Sequence, residues 1–392
     1  MALSTAAAGA LCALAPVPNS VRPAAAALGP AGTLEASWTA TDSFGDRSAQ
    51  AGLIAFDESA YKAMASDRRR TPQFARAIQK RLEGKAGEWS VLDIGTGPYA
   101  LLAIIAAKAG ARKVYAVEAV PEAARRARLF VAKAEKNGDV RPGQIEVIDG
   151  LSTEVTLPEK VDLVIAEIIG SVASEEGAHA TIRDAQLRHA KRPHDVSSWI
   201  PVAAQTLAAP CSYSLHSLLG PPEFDWAKLD GVPVRLNCRA SEVQLLADPQ
   251  LIEEVRFADP ALPVTGRVAN PRVRFAVDGA RLAANAAVYA AEIRTDGSAD
   301  LAALGASVAS DLSGLALWPR LQLDDEGTIF VESRGPHGEA QKSHWTTVVA
   351  LLSARPVALK PADQLTASLT VELGGAVTTP PRYLLRADLL PA

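Results

Sequence analysis

Val91-Leu92-Asp93-Ile94-Gly95-Thr96-Gly97-Pro98-Tyr99 is the stretch on which the fold turns. An apolar run of strand length, Ser90–Ile94, leads into two glycines separated by one residue. An Ala/Leu/Ile helix is expected next, over Tyr99–Ala109, ended by Gly110. Glycines directly after a strand let the backbone approach a ligand closely, and the following helix N-terminus presents free amides. Twenty-five residues beyond Asp93, Glu118 follows the strand-like run Lys113–Val117. An acid there is placed to accept from both hydroxyls of a ribose. Taken alone the motif fits a dinucleotide or S-adenosylmethionine. Its form is D-x-G-x-G rather than G-x-G-x-x-G, and it sits about 90 residues in, behind a helix that can cap the ligand. Both details favour the methyl donor.

Working outward, Phe56–Leu82 has helical spacing, with Tyr61, Met64, Phe74, Ile78 and Leu82 three or four residues apart. Downstream, Pro121–Lys136 reads as a helix opened by proline, and Ile145–Ile148 and Val161–Ala166 as two more strands. Strands spaced by helices of this length mean βαβ units and a parallel sheet. The expected fold class is therefore α/β: a Rossmann-like domain over residues 51–200, then a β-rich half over residues 201–392 that reads as a β-barrel or a β-sandwich. In the second half Ala203–Ala208, Arg272–Val277, Ala286–Glu292, Thr328–Glu332, Thr346–Leu352 and Leu365–Leu373 read as short strands between turns. Pro221–Pro249 is irregular, holds a helical piece at Glu223–Leu229, and is expected to protrude as an insertion.

The chain has 392 residues, 48% hydrophobic and 21% charged, a balance suited to two globular cores. A net charge of -4 gives no overall field to attract nucleic acid or an anionic membrane. Cys12, Cys211 and Cys238 form no CxxC pair, which points to a reducing compartment, and the six histidines carry no metal signature. No run reaches 18 apolar residues, so no membrane span is expected. Residues 1–34 are rich in Ala, Pro, Ser and Thr, with Arg22 as the only charge. That composition suits a disordered or organelle-targeting tail, so residues 1–50 are set outside the fold. Otherwise cytoplasm or nucleus is the expected location.

Two further groups can carry chemistry. Glu167, at the end of the strand Val161–Ala166, lies at the carboxyl edge of the sheet, and Glu176 follows nine residues later. Paired carboxylates suit a planar guanidinium, which stays charged near neutrality. The alternative is that Glu175 and Glu176 simply open a helix, complementing its dipole. Ser343-His344-Trp345 stands before an apolar strand and is either a packed strand end or part of a site.

Together these residues resemble the protein arginine methyltransferase family, over about Phe56 to Leu385. Asp93, Gly95 and Gly97 match its first cofactor motif, Glu118 its ribose-binding acid and Glu154 the acid that reads the adenine amine. Glu167 and Glu176 match its paired glutamates, and Ser343-His344-Trp345 is similar to its Thr-His-Trp loop. Met64-x-x-Asp67-x-x-Arg70 resembles its cofactor-capping helix. There the resemblance implies that Arg70 pairs with the donor's carboxylate and that Asp67 holds His344. Leu245–Asp259 resembles the start of the barrel after the family's dimerisation arm, here near 221–249. Three departures stand out. Tyr99 replaces a third glycine, Gln50–Ala55 lacks the family's paired aromatics, and Ile168-Ile169 replaces Trp-Met.

The resemblance implies an S-adenosylmethionine-dependent methyltransferase acting on an arginine-containing protein, a homodimer, with Glu167, Glu176, Asp67 and His344 as catalytic residues. Two alternatives remain: a catalytically weak partner subunit, and a methyltransferase for a small guanidino or amine compound.

Overall fold

The computed structural model describes residues 32–40, 58–293 and 300–390. Gln50–Ala55 and the rest of the expected tail, apart from 32–40, lie outside the described residues. Five parallel strands form the first sheet, in the order Ile145–Asp149, Lys113–Glu118, Ser90–Ile94, Leu163–Ala166, Trp199–Ile200. Ser90–Ile94 is buried along its whole length, as befits the centre of a parallel sheet. Chain order runs outward in both directions from this strand. The switch point therefore falls where Ile94 runs into Gly95 and Ala166 into Glu167, the crevice in which such sheets bind ligands.

The helical stretch expected up to Leu82 divides into two helices, Glu58–Ala65 and Thr71–Leu82. Asp67 causes the break: its carboxylate accepts from the backbone N–H of Arg69 (2.9 Å) and of Arg70 (3.1 Å). Such a local bond offers the chain a turn in place of a helix. Pro72 then suits the first turn of the second helix, where its missing N–H costs nothing.

The second half is a barrel of two curled antiparallel sheets. Gln250–Arg256, Ala203–Tyr213, Gly314–Gln322, Thr346–Leu351 and Val234–Asn237 lie side by side in one, flanked by Phe330–Glu332 and Val243–Leu245. The other holds Thr33–Thr39, Arg382–Leu390, Gln364–Gly374 and Thr265–Ala269, with Val273–Ala276 also paired to Gln364–Gly374. Burial alternates strictly along most of Gln364–Gly374, so one face meets the core, where Leu317, Val348, Phe275, Leu369 and Tyr383 pack.

Three expectations are corrected. Ala286–Glu292 is not a strand but the end of the helix Gly279–Glu292, capped by Asp278 on the Ala280 N–H at 2.8 Å. Its alanines are the best helix formers, and their apparent alternation carries no β signal. Gly305 lets the next helix, Leu301–Ala309, close onto it; a Cβ there would meet Ala286 O at 2.6 Å. Pro221–Pro249 does not stand clear of the barrel. Val234–Asn237 and Val243–Leu245 pair into the seven-stranded sheet, and Trp226–Leu229 is a single 3-10 turn. Trp226 packs against Tyr213, His216 and Phe224, so the apolar residues of this segment are used within the chain.

The third correction concerns the tail. Thr33–Thr39 is a barrel strand, paired with Arg382–Leu390 along its whole length. Its short run sits beside low-complexity sequence, and its partner lies more than 340 residues away, so no local pattern announces it. Trp38 is 3% exposed and stacks on Tyr383 with ring centroids 5.1 Å apart. Trp38→Ala should therefore cost about 3–5 kcal/mol, the range for emptying a buried aromatic site. Chemical denaturation of the full chain measures it, and a loss below about 1 kcal/mol would mean that the strand does not close the barrel.

Candidate active site

The first motif forms a tight loop at the carboxyl end of Ser90–Ile94. Gly95 and Gly97 have φ of +71° and +67°, a region that favours glycine. A Cβ on Gly95 would meet Ile168 at 3.2 Å, and one on Gly97 would face the Tyr61 ring at 3.8 Å. The loop thus lies between the carboxylate loop below and the helix Glu58–Ala65 above. Asp93 accepts from Thr96 Oγ1 at 2.6 Å, and burial pushes its carboxyl up to about 6. Glu118 is buried, accepting from the Gly97 N–H at 2.8 Å and the Val120 N–H at 2.9 Å. Burial raises its carboxyl above the usual range while these amides oppose the rise. The acceptor capacity left on this carboxylate is what a ribose hydroxyl would use. Glu154 is exposed in the turn after Ile145–Asp149, the strand beside the one that ends in Glu118. These residues fit an adenosyl group lying across the loop. Tyr99 leaves that path clear: its ring packs edge-on against Phe130 at 5.0 Å, with Arg126 over its face.

The break between the first two helices supplies the next layer. His344 Nδ1 lies 2.9 Å from Asp67 Oδ2, and the His344 N–H donates to the same oxygen at 3.2 Å. Burial tends to raise Asp67, but His344 and the amides of Arg69 and Arg70 hold it down at about 2. Burial lowers His344, and the Asp67 bond only partly offsets this. Arg70 meets Glu167 through Nε at 3.0 Å and through Nη2, with both side chains nearly buried. A carboxylate there needs a counter-charge, and the same guanidinium lies over Phe74. Met64 is half-buried on the helix that covers the glycine loop.

The loop from Glu167 to Glu176 is held from both halves of the chain. Trp345 Nε1 donates to Ile169 O at 2.8 Å, and Ser171 Oγ bonds Thr346 at its hydroxyl (2.9 Å) and its N–H (3.1 Å). Val172 is wholly buried in the barrel core. Ser174 Oγ donates to Glu253 at 2.5 Å and touches the Tyr383 hydroxyl at 3.0 Å, while Thr206 donates to the other Glu253 oxygen at 2.6 Å. Glu175 is fully buried and ion-paired with Arg235. Glu176 is partly exposed, and burial together with the charges of Glu167 and Glu175 pushes it up to about 8.

The helix-start reading of the two glutamates fails, because the helix Ala178–Arg188 opens after Gly177 in a left-handed conformation. Asp67, Arg70, Glu167, Glu176 and His344 are brought to one place, Gly95, Gly97 and Glu118 border it, and Glu154 stands at the rim. Reading the sequence missed Arg235, Glu253 and Thr206, which carry no motif and reach the loop only through strand pairing. A separate shallow cavity of about 660 Å³, lined by Lys108, Asp139 and Arg141 among others, lies at the amino edge of the sheet and includes no expected site residue.

A family model described as ribosomal protein L11 methyltransferase matches residues 74–180. Protein arginine N-methyltransferase PRMT10 of Arabidopsis thaliana is 41% identical over 133 residues, 33% of this chain and 32% of that protein. A probable protein arginine N-methyltransferase 6 from the same plant is 29% identical over 220 residues, 47% of each. These matches span less than half the length of either relative. The crystal structure of Arabidopsis thaliana protein arginine methyltransferase 10 covers 86% of this chain and 94% of its own, with a TM-score of 0.60 at 20% identity. A Trypanosoma brucei PRMT1 enzyme–prozyme heterotetrameric complex with AdoHcy covers 81% and 88%, with a TM-score of 0.56 at 18% identity. The chain is thus similar in sequence to named arginine methyltransferases and shares their fold.

Removing the charge of Asp67 should show in its partner. Asp67→Asn should shift the His344 titration midpoint lower still, by roughly a unit or more, since an adjacent carboxylate favours the imidazolium. NMR of the His344 ring reads this directly, and an unmoved midpoint would mean that the two groups do not interact in solution.

Proposed function

We propose that this chain transfers a methyl group from S-adenosylmethionine to the guanidinium of a protein arginine, and that it works as a homodimer. The observation that carries the reading is the pair Glu167 and Glu176 at the switch point, one carboxylate already on Arg70 and the other without an ion pair among the described residues. Glu118 and the glycine loop would hold the adenosyl group, and Glu154 would read its amine. Arg70 spends two of its three nitrogens on Glu167, leaving the third to meet the donor's carboxylate. The donor supplies an electrophilic methyl on a cationic sulfur.

The chain's own work is then positioning and electrostatics. Glu167 and Glu176 hold the guanidinium by charge-assisted bonds and draw its positive charge to one side. The remaining nitrogen keeps more lone-pair character for the methyl. His344, low in pKa and tethered by Asp67, is neutral near pH 7 and stands ready to take up the proton that the methylated arginine sheds. The weak-subunit alternative was motivated by Tyr99 and by the aromatics missing from Gln50–Ala55; the Tyr99 ring packs on Phe130, which weakens the first motive, and Gln50–Ala55 lies outside the described residues.

Glu167→Gln or Glu176→Gln should lower kcat on an arginine-rich peptide on the order of 100-fold. Donor affinity should stay nearly unchanged in Glu176→Gln, whereas Glu167→Gln also removes the ion pair that seats Arg70. The pH profile should carry the same signature. Glu176, raised to about 8, must ionise before it can hold a cation that never deprotonates. Hence kcat/KM should climb about tenfold per pH unit below that value and level above it. That limb should vanish in Glu176→Gln. Full activity in Glu167→Gln, or methylation of free arginine alone, would overturn the reading. Light scattering at micromolar concentration tests the dimer, and a monomer there removes that part.

A further inference from the structure

We propose that Arg235, on the barrel strand Val234–Asn237, is the positioning residue that sets the shape of the carboxylate loop, by seating Glu175 beneath it. This rests on the function proposed above for Glu167 and Glu176. Arg235 lies opposite Val348, on the strand that pairs with Thr346–Leu351 directly after the His-Trp loop. Its Nη2 donates to Glu175 Oε1, in a pair whose side chains are 12% and 0% exposed. Glu175 Oε2 in turn accepts the Val172 N–H at 3.1 Å, closing the turn between Ser171 and Glu176. Gly170 makes room for this: a Cβ there would stand 2.6 Å from the same Oε2. Glu175 is therefore committed inward, and Glu176, the next residue, is turned to the other side, toward Glu167. Three carboxylates thus resolve into one structural group and two that face substrate.

Removing the arginine takes away both a charge and a planar donor fork. Arg235→Met leaves a buried carboxylate with no counter-ion, which would pull Glu175 toward water and unwind the turn. Arg235→Lys keeps the charge without the planar fork. Arg235→Met combined with Glu175→Gln removes both charges, while the amide oxygen so introduced can still accept from the Val172 N–H.

Hydrogen exchange of peptides spanning 167–177 is the primary readout, with kcat/KM on an arginine-rich peptide beside it. Arg235→Met should speed exchange across 170–176 at least tenfold and lower kcat/KM about 10- to 100-fold, with the donor dissociation constant within twofold of the parent. Arg235→Lys should recover part of both losses, and the double variant most of both. Parental exchange in Arg235→Met would overturn the proposal, as would a double variant no better than the single. Should Arg235→Met fail to fold, a folded double variant with parental exchange still supports it, and an unfolded double variant overturns it. A parent chain that methylates no arginine peptide would remove the proposed function, while the exchange data would still decide the role of Arg235.

Discussion

Glu167, Glu175 and Glu176 bring three carboxylates into ten residues of loop at the seam between sheet and barrel. Burying such a group costs several kcal/mol unless a cation or enough donors meet it. The seam is built around that cost. Arg70 arrives from the break between two helices and meets Glu167, and Arg235 arrives from a barrel strand and meets Glu175. Glu176 has no such ion pair among the described residues and carries the raised pKa.

The same constraint explains why the two halves are closely joined. Trp345 follows His344 in sequence, yet its ring packs with the Rossmann-like core and its N–H satisfies Ile169 O. Val172 makes the reverse journey, from the sheet's loop into the barrel core. Tyr383 links further out, touching Ser174 by its hydroxyl and Trp38 by its ring, so the first described strand also bears on the loop. A loop tied at this many points keeps its carboxylates in one geometry, as electrostatic preorganisation requires.

Legibility from the sequence varied with the range of the interaction responsible. The parallel sheet was legible because each strand's apolar run and each helix's spacing are local, and Ser90–Ile94 and Pro121–Lys136 form with the expected bounds. The helical break at Asp67 was not, because the periodicity continues through it and only the side-chain bond to two amides reveals the turn. The alanine-rich helix Gly279–Glu292 was misread because alanine patterns carry no period of their own. Pro221–Pro249 was expected to protrude and does not, for a different reason: its aromatic residues have a burial site within the same chain, against Tyr213.

By itself the sequence determined which chemical groups are present and how they are spaced. Two glycines follow a strand, an acid ends the next strand, and two glutamates stand nine residues apart with a histidine-tryptophan pair far downstream. Those features depend on neighbours along the chain, and the strand-loop-helix rules carry them. Only the tertiary structure decided which carboxylate faces which cation. Glu175 and Glu176 are adjacent and chemically identical, yet one is wholly buried on Arg235 and the other opens toward Glu167. Arg235 is 60 residues from its partner, Arg70 97 residues from Glu167 and Asp67 277 residues from His344. Charge pairing across such separations follows from which backbones meet at the seam, and no local pattern encodes that meeting.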